Sequence, residues 1–514
     1  MPKNKKELVE ALTELINGDE ATKFSDVAID RTAAKIGLPS GMSPREGIKW
    51  LERLEAEENE VVAIAETIVA HPLDGAHAFW HVLKDRFGWT NMVPKASFFG
   101  GEPPRMVSVE TGVHSKETIA WGRVQIPGVS GFLETQFANQ TDRPMFAITG
   151  NVKRKDLAKV MEVVEAVRAR VKVASIYRGK AVRVRYPPKD ERYNPFEYMP
   201  SFFDTTHVQP SDLIFDATTQ EILEWTLFTP IRATAFVRAL KVPLKRGVCL
   251  EGPPGTGKTL TGAVAAKLAT ENGWTFFYLD NLLNLERCLE DARNFQPSVV
   301  FGEDIDRLDT RGNDALNRVL NIIDGVKGKN DEVMVIVTTN KPESLTEQML
   351  RPGRLDAVVS MRAPDAYACE RLMRLYAQDR LAWDEPIKPA AAKLAGEIPA
   401  VVREVVERAK LAAAGRMLQS GEPLLVKNLH LTGADLETAA DSMMAHIRLL
   451  RERANRTDPN AIEQFATALG EQLVSSFHYV REDHEAGFND FTKQSKLDYD
   501  LVVDQRRREL TEPK

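Results

Sequence analysis

Eight consecutive residues, Gly252-Pro253-Pro254-Gly255-Thr256-Gly257-Lys258-Thr259, carry the spacing G-x-x-x-x-G-K-[ST]. This spacing suits the binding of phosphate. Glycines let a backbone curl until successive N–H groups point at phosphate oxygens, and a following helix N-terminus adds positive potential. Lys258 is placed to reach the β- and γ-phosphates, the Thr259 hydroxyl to ligate Mg²⁺, and Leu260 to carry the backbone into the helix. The flanks agree. Apolar Val248, Cys249 and Leu250 predict a buried strand before the loop, and Ala263, Ala265 and Ala266 predict a helix after it.

Two further strand tips could join this loop. Val299-Val300-Phe301 runs into Gly302-Glu303-Asp304-Ile305-Asp306, which puts carboxylates where a parallel strand ends. An acidic strand end alone is more often a helix cap. Beside a phosphate loop it is suited to holding Mg²⁺ and orienting a water. Val333–Val337 delivers Thr338, Thr339 and Asn340, whose amide could orient a water against the γ-phosphate; alone, it would read as an asparagine turn. Downstream, Arg351-Pro352-Gly353-Arg354 holds two arginines on a turn. Most surface arginines are merely solvated, but arginine from a neighbouring subunit can stabilise phosphoryl-transfer charge.

Short apolar strands alternate with helices from Asp212 onward, which implies a parallel sheet with helices on both faces. The expected fold is an α/β P-loop NTPase over residues 211–365, with a helical lid over 366–455 and a charged segment over 456–514. Ahead of it, residues 1–95 read as helical, with Ser43-Pro44-Arg45-Glu46 as a capping box. Residues 96–186 read as an α+β module, with Val160, Val163, Val164, Val167 and Val171 at helical spacing and AVRVRY as its last strand. Residues 187–210, rich in proline and aromatics, read as an ordered connector.

A chain of 514 residues needs two to four domains. With 43% hydrophobic and 28% charged residues it has the balance of a soluble globular protein. No apolar run approaches the roughly 18 residues that span a bilayer, so no membrane association is expected. The longest apolar run, Val61–Ala70, is broken by Glu66. Cys249, Cys288 and Cys369 lack metal-ligand spacing and fit a reducing compartment, so the expected location is cytoplasmic. The net charge of −6 argues against wholesale nucleic-acid binding. Locally, Asn151 to Asp190 holds twelve Lys/Arg against four Asp/Glu. That run reads as a solvated face, or alternatively as a dock for an acidic partner or a phosphate backbone.

From about Asp212 to Arg408 the chain resembles the AAA family of ATPases. The phrase LNRVLNIIDGV…VMVIVTTNKPESLTEQMLRPGRLD is similar to that family's second region of homology, a more specific signal than the phosphate loop. The resemblance implies ATP and Mg²⁺ as ligands, Asn340 as the first sensor, and Arg351 and Arg354 as arginine fingers. It also implies a homo-oligomeric ring, commonly a hexamer, with ATP between subunits. The lid's adenine-proximal turn matches Gly396-Glu397-Ile398-Pro399-Ala400 best.

Two features depart from the family pattern. Its Asp-Glu pair appears here as Glu303-Asp304, so Glu303 falls on the metal side and Asp304 takes the water-polarising place. Members that thread proteins carry an aromatic–aliphatic–glycine pore loop after the second strand. Here LDNLLNLERCLEDARNFQ is too short and lacks that pattern. Both departures resemble the mitochondrial AAA chaperone that exports the folded Rieske protein. The leading expectation is an ATP-hydrolysing ring that remodels or moves a protein partner selected by residues 1–186. The alternatives are a nucleic-acid-handling ATPase and an ATP-binding assembly scaffold with little turnover.

Overall fold

The computed structural model describes residues 43–88, 90–97, 100–102, 105–140, 143–187, 196–311, 331–341, 355–420 and 425–457, together with Thr13. These fall into two compact units. One gathers residues up to 109 with 116–175 and 193–196; the other gathers 110–115, 176–192 and everything from 197 onward.

The N-terminal unit is built on a five-stranded antiparallel sheet. Its strand order is Val61–Ile68, Arg143–Lys153, Gly131–Gln140, Arg123–Gln125 and Asn91–Val93. Two helices, Pro72–Phe87 and Leu157–Ala174, bury Phe79, Val82 and Leu83, and the valine stripe from Val160 to Val171. The Ser43 capping box forms as expected, with Ser43 N–H donating to Glu46 Oε2 at 2.9 Å. The expectation of an all-helical region up to residue 95 fails at Val61–Ile68. That segment is a strand paired with Arg143–Lys153 along its whole length. Its β-branched residues Val61, Val62, Ile64, Thr67 and Ile68 suit a pleated surface, and Ile64 and Ile68 are buried there.

The second unit carries a seven-stranded sheet. The order is Ser201–Phe202, Ala181–Val184, Thr275–Leu279, Ser298–Gly302, Val333–Thr339, Arg246–Glu251 and Ala357–Ser360. All neighbours are parallel except the Ser201–Phe202 edge. A parallel sheet needs cover on both faces, which explains why Val333–Thr339 is buried at every position. The strand within AVRVRY therefore belongs to this sheet and not to the N-terminal module, which corrects the boundary drawn at 186. The connector contributes too. Ser201–Phe202 pairs with Ala181–Val184, and Phe203 stacks on Tyr278 at 6.3 Å between centroids.

The helices Ala366–Ala377, Lys388–Lys393, Pro399–Ser420 and Gly433–Thr457 follow the sheet in the chain and share their own apolar core around Leu372, Val402, Val406 and Leu436. Among the described residues, no helix is long and apolar enough to cross a membrane. All three cysteines are buried thiols. In the basic run, Arg154, Arg168, Arg170 and Arg183 each pair with a carboxylate, which accounts for part of its charge within the fold.

Candidate active site

The strand Arg246–Glu251 ends at the loop, and the helix Lys258–Glu271 begins as the loop closes. Gly252 (φ 149°), Gly255 (φ 80°) and Gly257 (φ 96°) all occupy backbone conformations that L side chains rarely adopt. At Gly252 space is also short, since a Cβ would lie 2.5 Å from the Met361 carbonyl oxygen. Lys258 is almost wholly buried, and its Nζ donates to the carbonyls of Gly252 at 2.7 Å and Pro253 at 2.9 Å. Burial lowers its pKa, opposed by the carboxylates of Asp304, Asp306 and Glu303. The ammonium is thus held inside the loop it would serve. Within the loop Thr256 Oγ1 donates to Pro253 O at 2.8 Å, and Leu260 follows on the exposed side of the helix.

Ser298–Gly302 brings the carboxylates to this helix. Glu303 Oε1 accepts from Thr259 Oγ1 at 2.5 Å, and its Oε2 accepts from Tyr278 Oη at 2.7 Å. Both oxygens are therefore oriented, and the threonine hydroxyl and a carboxylate meet as a divalent cation beside a phosphate would require. Asp304 sits at φ 53°, a conformation uncommon outside glycine and most accessible to Asn and Asp. Its amide donates to Thr338 Oγ1 at 3.0 Å. One carboxylate oxygen accepts from Asn340 Nδ2 at 3.1 Å, and the other pairs with Arg307 at 2.8 Å. Burial raises the Asp304 pKa; Arg307 pulls it down while Glu303 and Asp306 push it up further. A carboxylate with raised proton affinity at the end of a cleft strand is equipped to accept a proton.

Asn340 is positioned from the next strand. Asp306 Oδ1 accepts from the Asn340 amide at 3.1 Å and from Thr339 Oγ1 at 2.9 Å. Lys258, Thr259, Glu303, Asp304 and Asn340, dispersed in sequence, thus converge at the C-terminal ends of adjacent strands, where ligands bind in open α/β sheets. Tyr278 and Thr338 were not legible as site residues. Tyr278 reads as one more apolar position in TFFYL, and only the pairing of Thr275–Leu279 with Ser298–Gly302 brings its hydroxyl to Glu303. From the lid side, Ile398 and Ala400 approach Gly255, where an added Cβ would lie 3.3 Å from Ile398 Cδ1. Gly433-Ala434-Asp435 opens the last lid helix. Arg351 and Arg354 lie outside the described residues.

Residues 248–363 match the family described as "ATPase family associated with various cellular activities (AAA)". The chain is similar to the "ATP-dependent zinc metalloprotease FtsH" of Streptococcus pneumoniae serotype 4, with 34% identity over 193 residues covering 33% of this chain and 29% of that protein. It is also similar to the "ATP-dependent zinc metalloprotease FtsH 3" of Sphaerobacter thermophilus, with 32% identity over 247 residues, 44% of this chain and 47% of that one. Protein CdcH of Halobacterium salinarum is 28% identical over 277 residues, 50% of this chain and 34% of that one. In each case the match spans less than half the length of the relative. With a mostly parallel sheet, a phosphate loop following its strand Arg246–Glu251 and this sequence match, residues 248–363 form an AAA ATPase domain.

Proposed function

We propose that this chain binds ATP with Mg²⁺, hydrolyses it to ADP and phosphate, and couples turnover to remodelling or moving a protein partner. The observation that carries the reading is the convergence of Lys258, Thr259, Glu303, Asp304 and Asn340 on one end of the sheet. The loop amides and Lys258 would hold the phosphates, and Thr259 with Glu303 would hold the metal. When bound, Mg²⁺ neutralises phosphate oxygens and leaves the γ-phosphoryl group open to in-line attack. Asp304 accepts the proton of the attacking water, and Asn340 fixes the direction of that carboxylate and of the water. Thr338 holds the Asp304 backbone in its unusual conformation while this happens. Arg351 and Arg354 act on the site of a neighbouring subunit in a homo-oligomeric ring, and residues 1–186 recruit the partner.

The short path after Thr275–Leu279 supports a ring that moves its partner without hand-over-hand threading. It passes through Leu282–Asn284 directly into the helix Leu285–Asn294. An aromatic pore loop would need chain length that this connection lacks.

The direct test is Lys258→Ala. Equilibrium titration with a fluorescent ATP analogue should show affinity reduced about 100-fold, the loss of one or two charge-assisted hydrogen bonds to phosphate. Unaltered affinity would overturn the site. A finer test is Tyr278→Phe, which keeps the ring in its pocket and removes only the hydroxyl that orients Glu303. Nucleotide affinity should hold, while the Mg²⁺ concentration for half-maximal turnover rises about tenfold, as when other outer-shell partners of a metal ligand are lost. An unchanged Mg²⁺ requirement would remove Glu303 from the metal side.

A further inference from the structure

We propose that His77, His81 and Glu117 form a binding site for a first-row divalent transition-metal cation within the N-terminal unit. His77 and His81 stand one turn apart on the helix Pro72–Phe87, with ring centroids 4.4 Å apart. Both Nε2 atoms lie 3.0 Å from the same oxygen, Glu117 Oε2. The three potential ligand atoms all lie within 4.8 Å of one another. On a tetrahedral zinc with bonds of about 2.0–2.1 Å, ligand atoms sit about 3.3 Å from each other. The spacing in place is thus close to coordination spacing, and little movement separates the two arrangements.

The residue types and their setting agree with this chemistry. Two imidazoles and one carboxylate make a three-ligand set that leaves a further position open, the pattern of zinc sites that keep a water and of non-haem iron sites. Exposure grades outward across the set, with side chains 11% exposed at His77, 21% at His81 and 35% at Glu117, so an ion has an entry path. In the strand Ser115–Trp121, Glu117 shares a face with Ile119, which is fully buried. A carboxylate has been placed on the inward face, aimed at two histidines. Burial lowers the pKa of His77, with His81 and Arg170 acting in the same direction against Glu117, which favours the neutral, ligating imidazole. Burial also opposes ionisation of Glu117, but hydrogen bonds from His81 and His77 outweigh it and keep the carboxylate charged. Arg170, a cation that acts on His77, is paired with Asp85 at 2.8 Å.

The cluster lies outside the matched AAA residues and does not depend on the nucleotide reading. The test uses tag-free, full-length protein stripped with a chelator and titrated with Zn²⁺ against a chromophoric competitor. One equivalent should bind and raise the thermal unfolding midpoint. Affinity should fall by more than about 100-fold in His81→Ala and in Glu117→Gln, since even outer-shell losses cost 10–100-fold. His207→Ala, an exposed histidine elsewhere, should bind as the parent does. Glu117→Gln keeps an oxygen acceptor for both imidazoles and so preserves the hydrogen-bonded fold, which makes it the deciding arm. Absence of saturable Zn²⁺ binding by the parent, or parent-like binding by Glu117→Gln, would overturn the proposal.

Discussion

Replacing Asp304 by asparagine is expected to leave ATP binding essentially intact and to slow turnover by about 10²–10⁴-fold, the range lost with a positioned general base. Asparagine keeps the side-chain shape, tolerates the left-handed backbone at φ 53° and keeps the oxygen that accepts from Asn340. The oxygen paired with Arg307 is replaced by an amide nitrogen that cannot take a proton from water. Because burial raises the Asp304 pKa, the parent's turnover should fall with acidification at a pH above the usual carboxylate range. The residual rate of the variant should lack that acid limb. Stability supplies a control. A carboxyl whose folded pKa lies above its unfolded value stabilises the fold below the unfolded pKa, and this contribution is lost as pH rises through the folded pKa. At neutral pH, Asp304→Asn should therefore unfold at the same temperature as the parent or higher. A stopped ATPase with an unchanged melting curve indicates lost chemistry. Parent-like turnover would show that Asp304 is not the proton acceptor and would leave the Glu303-Asp304 order without a catalytic role.

Arg351→Ala is expected to lower kcat by about 10³-fold or more while ATP still binds, the loss seen when an arginine that stabilises transferring phosphoryl charge is withdrawn. Each tenfold corresponds to about 1.4 kcal/mol of transition-state stabilisation. Subunit mixing separates action across an interface from action within one chain. Lys258→Ala subunits lack a working loop but carry Arg351, and Arg351→Ala subunits carry the loop but lack the arginine. Combined in one ring, the two inactive chains should regain hydrolysis at interfaces where intact halves meet. Phosphate release from the mixture, absent from either chain alone, is the readout. No recovery at any ratio would place Arg351 in its own subunit's site or outside the mechanism.

The legible parts of the site were those set by local backbone demands. Gly252, Gly255 and Gly257 announce a loop because few other residues accept those conformations, and Lys258 and Thr259 follow at fixed spacing. Glu303, Asp304 and Asn340 were found because strand ends are marked by the switch from apolar to polar residues. Tyr278 and Thr338 act across strand pairings, and no local pattern encodes which strand lies next to which. The same limit misassigned Val61–Ile68 and Ala181–Val184. Each is a short β-branched stretch whose identity is decided by a distant partner, Arg143–Lys153 in one case and Thr275–Leu279 in the other. Helical spacing over longer runs proved a firmer guide. The Val160–Val171 stripe needed only its own periodicity.

The placement of Ala181–Val184 determines how the chain can be divided. A fragment begun at residue 211, where motif matching would start the ATPase, loses both Ala181–Val184 and the Ser201–Phe202 edge that pairs with it. Thr275–Leu279, buried at every position in the whole protein, would then present open backbone N–H and C=O groups on an apolar strand. Such an edge recruits other chains, and precipitation during purification is the expected result. A fragment begun at Ile176 carries its own edge protection and should stay dispersed, so solubility of the two fragments reports directly on where this domain begins.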